Sequence, residues 1–353
     1  MVFHLIVNVC LAASAGDCAP VLLPAGDAAT QQACMTASQR IADDWLKDRR
    51  DLTRGVIDCV ANADLPAAPL QEIAPGVHVH LGDPVQMEQS ADGRIANLGV
   101  IEGRDSVAVI DAGVSRAEGQ AMYVAIRRLT DKPVSHLVLT HMHPDHVLGA
   151  EVMVEAGASI VAHHAMSQGL QMRGGTYLES QHRLFPPAEW IATRVALPDM
   201  AVKDSTRIDL GGRQIMLAAW PTAHTDNDLT ALDLRTGTLF TGDLIFRDLT
   251  PVVDGSLLGW LSWLQAEPAG DVRLIVPGHG NPTDSWAAAQ GPISDYLKAL
   301  ATATRDRITQ GVPMSKAVPL IADDLQSFEN SWNSFDMTVA RDATAAYKEL
   351  EWE

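Results

Sequence analysis

The fold of this chain is decided by the stretch Thr140-His141-Met142-His143-Pro144-Asp145-His146. Histidine is scarce in the sequence, at 12 of 353 residues, yet this stretch holds three histidines and an aspartate at short fixed spacings. Imidazole nitrogens and carboxylate oxygens are ligands that zinc takes in catalytic sites. The stretch therefore predicts a metal site, and the competing interpretation is a set of ordinary surface or structural histidines.

The residues around this stretch predict where it lies in the fold. Residues 135–139 form a short, mostly apolar run of strand length, which ends on the β-branched Thr140. Pro144 interrupts a strand and fits the first turn of a following helix. The motif is thus expected on a loop at the carboxyl end of a strand, where α/β layers place residues that bind ligands.

Three further candidate ligands follow apolar, strand-like runs later in the chain. They are His224, Asp243 and His279, which come after residues 214–218, 238–242 and 272–278 respectively. Because loops at strand ends carry the functional residues of such folds, we expect these side chains to converge on the motif. Any one of them alone would be weak evidence, whereas four separate strand ends with ligand residue types make a consistent set.

The seven candidates divide into ligands for two metal ions. His141 and His143 are two residues apart and can converge on one ion, and His224 completes a three-histidine face for it. The predicted ligands of the second ion are Asp145, His146 and His279. Asp243 has two carboxylate oxygens and is predicted to bridge both ions. Asp145 is also the catalytic candidate, since it can receive or steer a proton.

Two other aspartates are candidates for supporting roles. Asp111 ends the apolar run 106–110, and Asp228 lies four residues after His224. A carboxylate that accepts a hydrogen bond from the outer nitrogen of a ligating imidazole fixes the orientation of that ring. The alternative for both residues is to cap a strand end or a turn.

The pattern along the chain predicts an α/β fold of the αββα sandwich type. Strand hairpins followed by helices occur twice, which describes two sheets enclosed between helices. The predicted strands are 77–81, 97–101, 106–111, 134–140, 157–162, 207–210, 214–218, 229–234, 238–243 and 272–279. The predicted helices are 27–49, 118–129, 256–265, 293–309 and 338–350. Residues 169–187 lack strong periodicity and are interpreted as a mobile lid or a plain connecting loop.

The cysteines predict a separate N-terminal unit. All four, Cys10, Cys18, Cys34 and Cys59, lie in the first sixty residues. This confinement favours a small α+β module held by disulfides, and hence an oxidising compartment, although the sequence leaves three pairings open. The apolar start of the chain is a poor match to a signal peptide and is predicted to be a strand. The expected division is 1–65 for this module, 71–300 for the metal-binding domain and 301–353 for a C-terminal helical extension.

The composition excludes some classes of partner. The formal net charge of −18 argues against nucleic acid or an anionic membrane surface, since both bind basic proteins. No apolar stretch reaches eighteen residues, so no membrane span is expected. With 47% hydrophobic and 20% charged residues, the chain has the composition of a globular protein with a sizeable core.

The motifs together resemble those of the metallo-β-lactamase-fold hydrolases. The resemblance runs from about Val77 to Pro282 and includes the His-x-His-x-Asp-His run with the three later ligands in the family's order. Ile110-Asp111-Ala112-Gly113 resembles the buried aspartate that precedes this run in the family. Asp243 stands where zinc β-lactamases of the commonest subclass carry Cys, so the site is similar to the glyoxalase II type with a bridging carboxylate.

A finer resemblance concerns a bacterial subgroup. The four-Cys module and residues 254–260 resemble the quinoprotein relay system zinc metallohydrolases. This resemblance implies a periplasmic rather than a cytoplasmic location and an accessory role to a quinoprotein dehydrogenase system. It names no substrate beyond a small molecule.

The resemblance implies a hydrolase with two Zn2+ ions, with iron or manganese as alternatives. Metal-bound hydroxide is expected to attack an ester, thioester or lactam carbonyl. No protein nucleophile is needed, and no G-x-S-x-G elbow occurs in the sequence. Two other functions stay open at this point. One is an oxidoreductase of the persulfide dioxygenase type with a single iron, and the other is a non-enzymatic accessory binding protein.

Overall fold

The structure is a computed structural model that describes residues 2–266, Pro268 and 270–353. It confirms the predicted fold class. Two sheets pack face to face between two layers of helices, and a small three-stranded sheet precedes them. No helix within the described ranges is both long and apolar enough to cross a bilayer.

The N-terminal unit is an antiparallel sheet with one helix packed on it. Its elements are β1 (Phe3–Leu11), β2 (Ser14–Ala28), α1 (Gln31–Leu46) and β3 (Leu52–Ala61), and the strand order is β2-β1-β3. The start of the chain is therefore a strand, as expected. Helix α1 is shorter than the predicted 27–49, because Thr30 accepts a hydrogen bond from the N–H of Ala33 and caps the helix there.

Two disulfides select one of the three possible pairings. Cys10–Cys18 joins directly opposite residues of β1 and β2, and Cys34–Cys59 ties α1 to β3. The second bridge lies inside a hydrophobic cluster formed mainly by this unit and completed by Ile191 and Ala192 of the main sandwich. That mainly local cluster supports our proposal that residues 1–65 form a module of their own.

The first large sheet carries the motif. Its seven strands are β4 (Gln71–Ala74), β5 (Val77–His80), β6 (Leu98–Glu102), β7 (Val107–Ile110), β8 (Val134–Val138), β9 (Ser159–His163) and β10 (Met200–Val202). They follow one another in space in the order β10 to β4. Strands β4–β7 are antiparallel neighbours, whereas β7 to β10 are parallel, so β7 and β8 end on the same edge of the sheet.

The second large sheet supplies the remaining ligands. Its five strands, in spatial order, are β11 (Ser205–Asp209), β12 (Gln214–Ala219), β13 (Leu229–Asp233), β14 (Thr238–Phe246) and β15 (Leu274–His279). The two sheets bury a shared apolar layer that includes Val79, Ile110, Leu217 and Phe240. This layer fixes the two ligand-bearing edges relative to each other, because close-packed interiors resist sliding.

The helices cover the outer faces of the two sheets. They are α2 (Arg116–Leu129), α3 (Pro144–Val147), α4 (Ala150–Glu155), α5 (Met166–Leu184), α6 (Pro187–Trp190), α7 (Leu257–Gln265), α8 (Trp286–Thr309), α9 (Met314–Asp324) and α10 (Phe335–Leu350). Helices α2, α4 and α5 pack on the first sheet, and α7 to α10 pack on the second. Helix α8 continues through residue 300, so one helix joins the last two predicted parts of the chain, whose division stays a proposal.

The segment 169–187 is where the sequence prediction of a loop was wrong. Helix α5 covers nearly all of it and ends before Pro186, as helices do ahead of a proline. Gly174 and Gly175 interrupt its apolar pattern, which hid the helix in the sequence. Gly174 is at a close approach, since a Cβ there would lie 2.8 Å from the side chain of Val195.

The N-terminal unit docks on the main sandwich through a buried ion cluster. Arg116 of α2 is 1% exposed and pairs with Glu151 at 2.9 Å and Glu155 at 2.5 Å. Arg116 also donates to the carbonyl of Leu22 in β2, and Arg49 pairs with Glu151 at 2.6 Å. Buried charges are stable only when paired, so this cluster favours one fixed orientation of the unit.

Candidate metal centre

The motif occupies the loop between β8 and the short helix α3. His143 is the residue before that helix, and Pro144 takes its first position, as the sequence predicts. Asp111, at the end of the neighbouring β7, accepts hydrogen bonds from the N–H and the hydroxyl of Thr140, both at 2.8 Å. Asp111 has a φ of 58°, a left-handed conformation that is costly for a residue with a Cβ. The strand pairing and these hydrogen bonds hold it there.

The structure brings all seven predicted ligands together. One group of potential ligand atoms comes from His141, His143, His224 and Asp243, and the other comes from Asp145, His146 and His279. The atoms of each group lie within 4.8 Å of one another. The division into two groups is the one expected from the sequence, and every member except His143 and Asp145 is less than 5% exposed.

Asp243 lies between the two groups. Its Oδ2 atom is 3.6 Å from His141 Nε2 and 3.5 Å from His224 Nε2, and its Oδ1 atom is 3.2 Å from His146 Nε2. Two ligands at about 2.05 Å from a tetrahedral zinc are roughly 3.3 Å apart. The Oδ2 atom is also 3.3 Å from His279 Nε2, a member of the second group. The spacings therefore match those of atoms that share an ion, and the carboxylate of Asp243 lies against both groups.

The nitrogens that face away from the centre have acceptors. Nδ1 of His224 donates to the carbonyl oxygen of Val252, and Nδ1 of His279 donates to that of Ile95, both at 2.8 Å. An outer hydrogen bond of this kind places the proton on Nδ1 and leaves Nε2 as a lone-pair donor toward the centre. The tautomer that a metal ion requires is thus favoured by the fold.

In two other histidines, the ring nitrogen that faces away from the centre donates to a carboxylate. His146 Nδ1 donates to Asp111 at 2.8 Å, so the aspartate expected to orient a ligand imidazole contacts one. His143 has the opposite orientation, with Nδ1 3.1 Å from His224 Nε2 and Nε2 donating to Asp254 at 2.9 Å. His143 would therefore bind through Nδ1, whereas the other histidines present Nε2.

Asp254 is a functional candidate that the sequence reasoning missed. Besides His143, it accepts a 2.5 Å hydrogen bond from Arg173 of α5. Burial would raise the pKa of Asp254, but these two donors lower it below its usual range. Asp254 lies 111 residues from His143, and no local spacing could have related them.

Asp228 contacts a turn rather than an imidazole, which is the second of the two roles that the sequence leaves open. Its carboxylate accepts hydrogen bonds from the N–H of Thr225 at 2.9 Å and from the Thr225 hydroxyl at 2.7 Å. These contacts fix the turn that follows His224, so Asp228 supports a ligand through the backbone. Burial raises the pKa of Asp228 to about 8.

The buried polar atoms at the centre fit a pair of cations. His141 Nε2, His146 Nε2 and Asp243 Oδ1 are all buried without a hydrogen-bond partner. A buried polar atom without a partner costs roughly 1–3 kcal/mol, so three at one point require a ligand that is not a protein atom. Five imidazoles and two carboxylates are a donor set for zinc, and they also suit iron and manganese.

The pKa shifts agree with this interpretation. Burial lowers the pKa of His141 well below its ordinary value and lowers that of His224 to about 3, so both rings are neutral. Burial acts the same way on His146, but Asp243 and the other nearby carboxylates raise its pKa well above the ordinary value. His146 therefore holds a proton near Asp243, at the position where a bound metal ion would replace that proton.

Glycines make room for the bridging carboxylate. A Cβ at Gly278 would collide with the Oδ1 atom of Asp243. Gly242, with a φ of +52°, lies beside Thr140, and a Cβ there would lie 2.5 Å from the Thr140 hydroxyl. Larger residues at either position would displace Asp243 from the centre.

A cavity of about 300 Å³ opens onto this centre. Its walls include His143, Asp145, Asp243, Asp254, His279 and side chains of α5 and α10. Tyr177 of α5 also lines the cavity, and its hydroxyl is buried without a hydrogen-bond partner. Burial raises the pKa of Tyr177, so the hydroxyl keeps its proton and is a donor available to a bound molecule.

Comparison with known proteins gives a family. A sequence model of the metallo-beta-lactamase superfamily matches residues 91–279, more than half of the chain. A linear primary-alkylsulfatase from Pseudomonas sp. (strain ATCC 19151) is 33% identical over 55 residues, which are 16% of this chain and 10% of that protein. The chain spans less than two thirds of the length of the curated relatives it matches.

Solved structures share the fold at low sequence identity. The sec-alkylsulfatase Pisa1 from Pseudomonas sp. has a TM-score of 0.58 at 16% identity, covering 82% of this chain and 54% of that one. A metallo-beta-lactamase from Pontibacter korlensis has a TM-score of 0.52 at 18% identity, covering 65% of this chain and 98% of that one. At these identities the likeness is one of fold.

Proposed function

This chain belongs to the metallo-beta-lactamase superfamily, and from that premise we propose that it is a hydrolase with two divalent metal ions, expected to be zinc, that acts on an ester, thioester or lactam. The observation that carries the proposal is the pair of ligand groups that share Asp243. Divalent ions bound there would lower the pKa of a water molecule and polarise a carbonyl oxygen. Protein side chains would hold the ions, accept the proton and position the substrate.

The ligand roles follow from the two groups of atoms. We propose that His141, His143 and His224 hold one ion, that Asp145, His146 and His279 hold the other, and that Asp243 contributes an oxygen to each. Asp145 turns its Oδ2 atom toward both His146 Nε2, at 3.5 Å, and His279 Nε2, at 3.4 Å. Its Oδ1 atom is the proposed acceptor for the proton released during hydrolysis.

The cavity walls position the substrate. Asp254 holds His143 and Arg173 at once, so the orientation of a ligand ring and of the α5 wall depends on one carboxylate. The buried Tyr177 hydroxyl, which lacks a partner, is the proposed donor to the substrate oxygen that gains charge. Tyr177 is held by helix α5, and Asp254, in the loop before α7, is held by its hydrogen bonds to His143 and Arg173. Such fixed positions give the precision that hydrogen bonds to a substrate need.

The place of action is part of the proposal. Two disulfides support an oxidising, extracytoplasmic compartment, because such bridges are rare in reducing ones. The resemblance of the N-terminal module and residues 254–260 to the quinoprotein relay subgroup is the ground for proposing the periplasm and an accessory role to a quinoprotein dehydrogenase system. A pull-down of such a dehydrogenase from periplasmic extract by the full chain would test that part.

The central experiment combines metal analysis with a substrate panel. Purified protein is assayed for bound metal and, after zinc loading, for hydrolysis of a cephalosporin, a thioester, a lactone, an aryl ester and an alkyl sulfate. The last is included because of the alkylsulfatase match. We expect two zinc ions per chain and turnover of at least one substrate. A single iron without zinc would instead favour an oxidoreductase of the persulfide dioxygenase type.

A matched pair of variants assigns the activity to the site. Asp145→Ala with His146→Ala should abolish hydrolysis and one of the two metal sites. The control, Asp271→Ala with His164→Ala, removes the same residue types from exposed positions outside the ligand groups. If hydrolysis survives in the first variant, or is lost equally in the control, the proposed role of the centre is wrong.

A further inference from the structure

Helix α5 presents a polar face to the cavity. Five of its lining residues are Arg173, Thr176, Tyr177, Ser180 and Arg183. Their spacings of three and four residues place them along one side of a helix. The segment that the sequence predicts to be a mobile lid or a plain connecting loop is therefore a helix, and Arg173 and Arg183 on it line the cavity.

Two guanidinium groups in the cavity lack a carboxylate partner. Arg183 donates to the hydroxyl of Ser180, and Arg341, from α10, lines the same cavity on another element. Both side chains are exposed at the cavity wall, and neither forms an ion pair with any residue that the structure describes. Arg173 differs from them, because Asp254 already neutralises it.

The acidic groups of the cavity are mostly engaged. Asp145 and Asp243 face the imidazoles of the centre, and Asp254 is shared by His143 and Arg173. Glu88, which is exposed, is the remaining carboxylate of the lining and forms no ion pair with the two free arginines among the described residues. With two divalent ions bound, the cavity would carry a net positive charge.

This local charge is opposite to that of the whole chain. A formal net charge of −18 repels an anion from most of the surface, so a small anion can be concentrated only where cations are gathered. Arginine is the side chain best suited to binding carboxylate, sulfate or phosphate, because its planar fork donates two parallel hydrogen bonds. The cavity also has apolar walls, at Phe246, Leu249 and Val252, and the ring of Phe246 packs against His279.

We propose that the substrate is an anionic small molecule whose charged group lies apart from the bond that is hydrolysed, with Arg183 and Arg341 binding that group. The inference rests on the proposed function and specifies its substrate class. The shared chemistry is an oxyanion, such as carboxylate, sulfate or phosphate, joined to the scissile group by a short apolar segment. A cavity of about 300 Å³ suits a molecule of that size.

The test compares two esters that differ in one charge. Zinc-loaded full-length protein is assayed with mono(4-nitrophenyl) glutarate and with its neutral methyl ester. We expect kcat/KM to be on the order of tenfold higher for the anionic ester, as a charge-assisted hydrogen bond allows. Arg183→Ala with Arg341→Ala should remove the difference by lowering only the value for the anionic ester. Arg104→Ala, an exposed arginine outside the cavity, is the control.

A binding measurement separates this inference from the proposed function. Calorimetric titration of the zinc-loaded protein with glutarate should show binding that the double arginine variant weakens on the order of tenfold, at unchanged zinc content and melting temperature. Sulfate and phosphate monoesters in the same titration distinguish the oxyanions. The inference is overturned if kcat/KM is equal for both esters, or if the double arginine variant binds glutarate as tightly as wild type. Either result leaves the proposed hydrolase function unaffected. Arginine-dependent glutarate binding by a protein that turns over no member of the substrate panel supports the anion site and refutes the hydrolase.

Discussion

Replacing Asp254 by Ala should weaken one metal site and spare the other. Asp254 accepts a 2.9 Å hydrogen bond from His143, and His143 belongs to the first ligand group. No member of the second group, Asp145, His146 or His279, is among its hydrogen-bond partners. The variant should therefore have one zinc ion of ordinary affinity and one of reduced affinity.

The size of the loss follows from the bond that is removed. A hydrogen bond to a charged group contributes about 1.5–3 kcal/mol, which corresponds to roughly 10- to 150-fold in affinity. Asp254 is 20% exposed, so water replaces part of the interaction and the lower end applies. Arg173 is 44% exposed and is resolvated when its partner is lost, which adds little. We expect zinc to bind the first site about 10- to 30-fold more weakly.

Competition with a chromogenic chelator measures the two zinc affinities, and elemental analysis gives the stoichiometry. Asp254→Asn keeps an acceptor oxygen without the charge and should fall between wild type and Asp254→Ala. Arg173→Ala leaves the bond to His143 in place and should change zinc affinity little. Unchanged affinity in Asp254→Ala, or an equal loss at both sites, would refute the reasoning that Asp254 acts by holding one ligand ring.

Three further outcomes are expected. Tyr177→Phe should lower kcat/KM about tenfold at unchanged zinc content, since it removes one hydroxyl donor; a loss confined to zinc binding would contradict this role. Burial raises the pKa of Glu118 to about 8, so the stability from its bound proton is present below pH ~4 and is lost as pH rises through 8. In urea melts across this range, Glu118→Gln should flatten the fall of the free energy of unfolding with pH. An unchanged slope would argue against a buried protonated carboxyl. Replacing Cys34 and Cys59 by Ser should lower the free energy of unfolding by about 3 kcal/mol, because the bridge spans 25 residues. In denaturant melts, removing the shorter bridge between β1 and β2 should lower it by less. The reverse order would show that loop length is not the cause.

The sequence predicted the fold class and the convergence of the seven candidate ligands from local signals. The histidine run, the proline at 144 and the apolar stretches before His224, Asp243 and His279 are all short-range signals. Each signal predicts that a strand ends at a potential ligand, and in a layered fold such strand ends lie at the same edge. The N-terminal strand and the confinement of the cysteines to one small unit follow from similarly local patterns.

The prediction that is wrong concerns a segment with an interrupted pattern. Gly174 and Gly175 break the periodicity of helix α5, so the sequence predicts a loop there, and the close approach of Gly174 to Val195 exists only in the folded chain. For Asp228 the sequence leaves two roles open, and its hydrogen bonds go to Thr225. A turn-capping aspartate and a ring-orienting one have the same sequence signature, and only three-dimensional placement separates them.

The sequence by itself determined the fold class, and it predicted which seven side chains would lie together and how they would divide into two groups. Those features depend on residue type and on position relative to a strand end, and both can be deduced along the chain. The tertiary structure alone decided which nitrogen of each ring faces the centre, which carboxylate holds His143, how the cysteines pair and which arginines enter the cavity. These depend on contacts between residues far apart in sequence, such as Asp254 with His143 or Asp254 with Arg173, and such contacts exist only once the packed layers have fixed the distances.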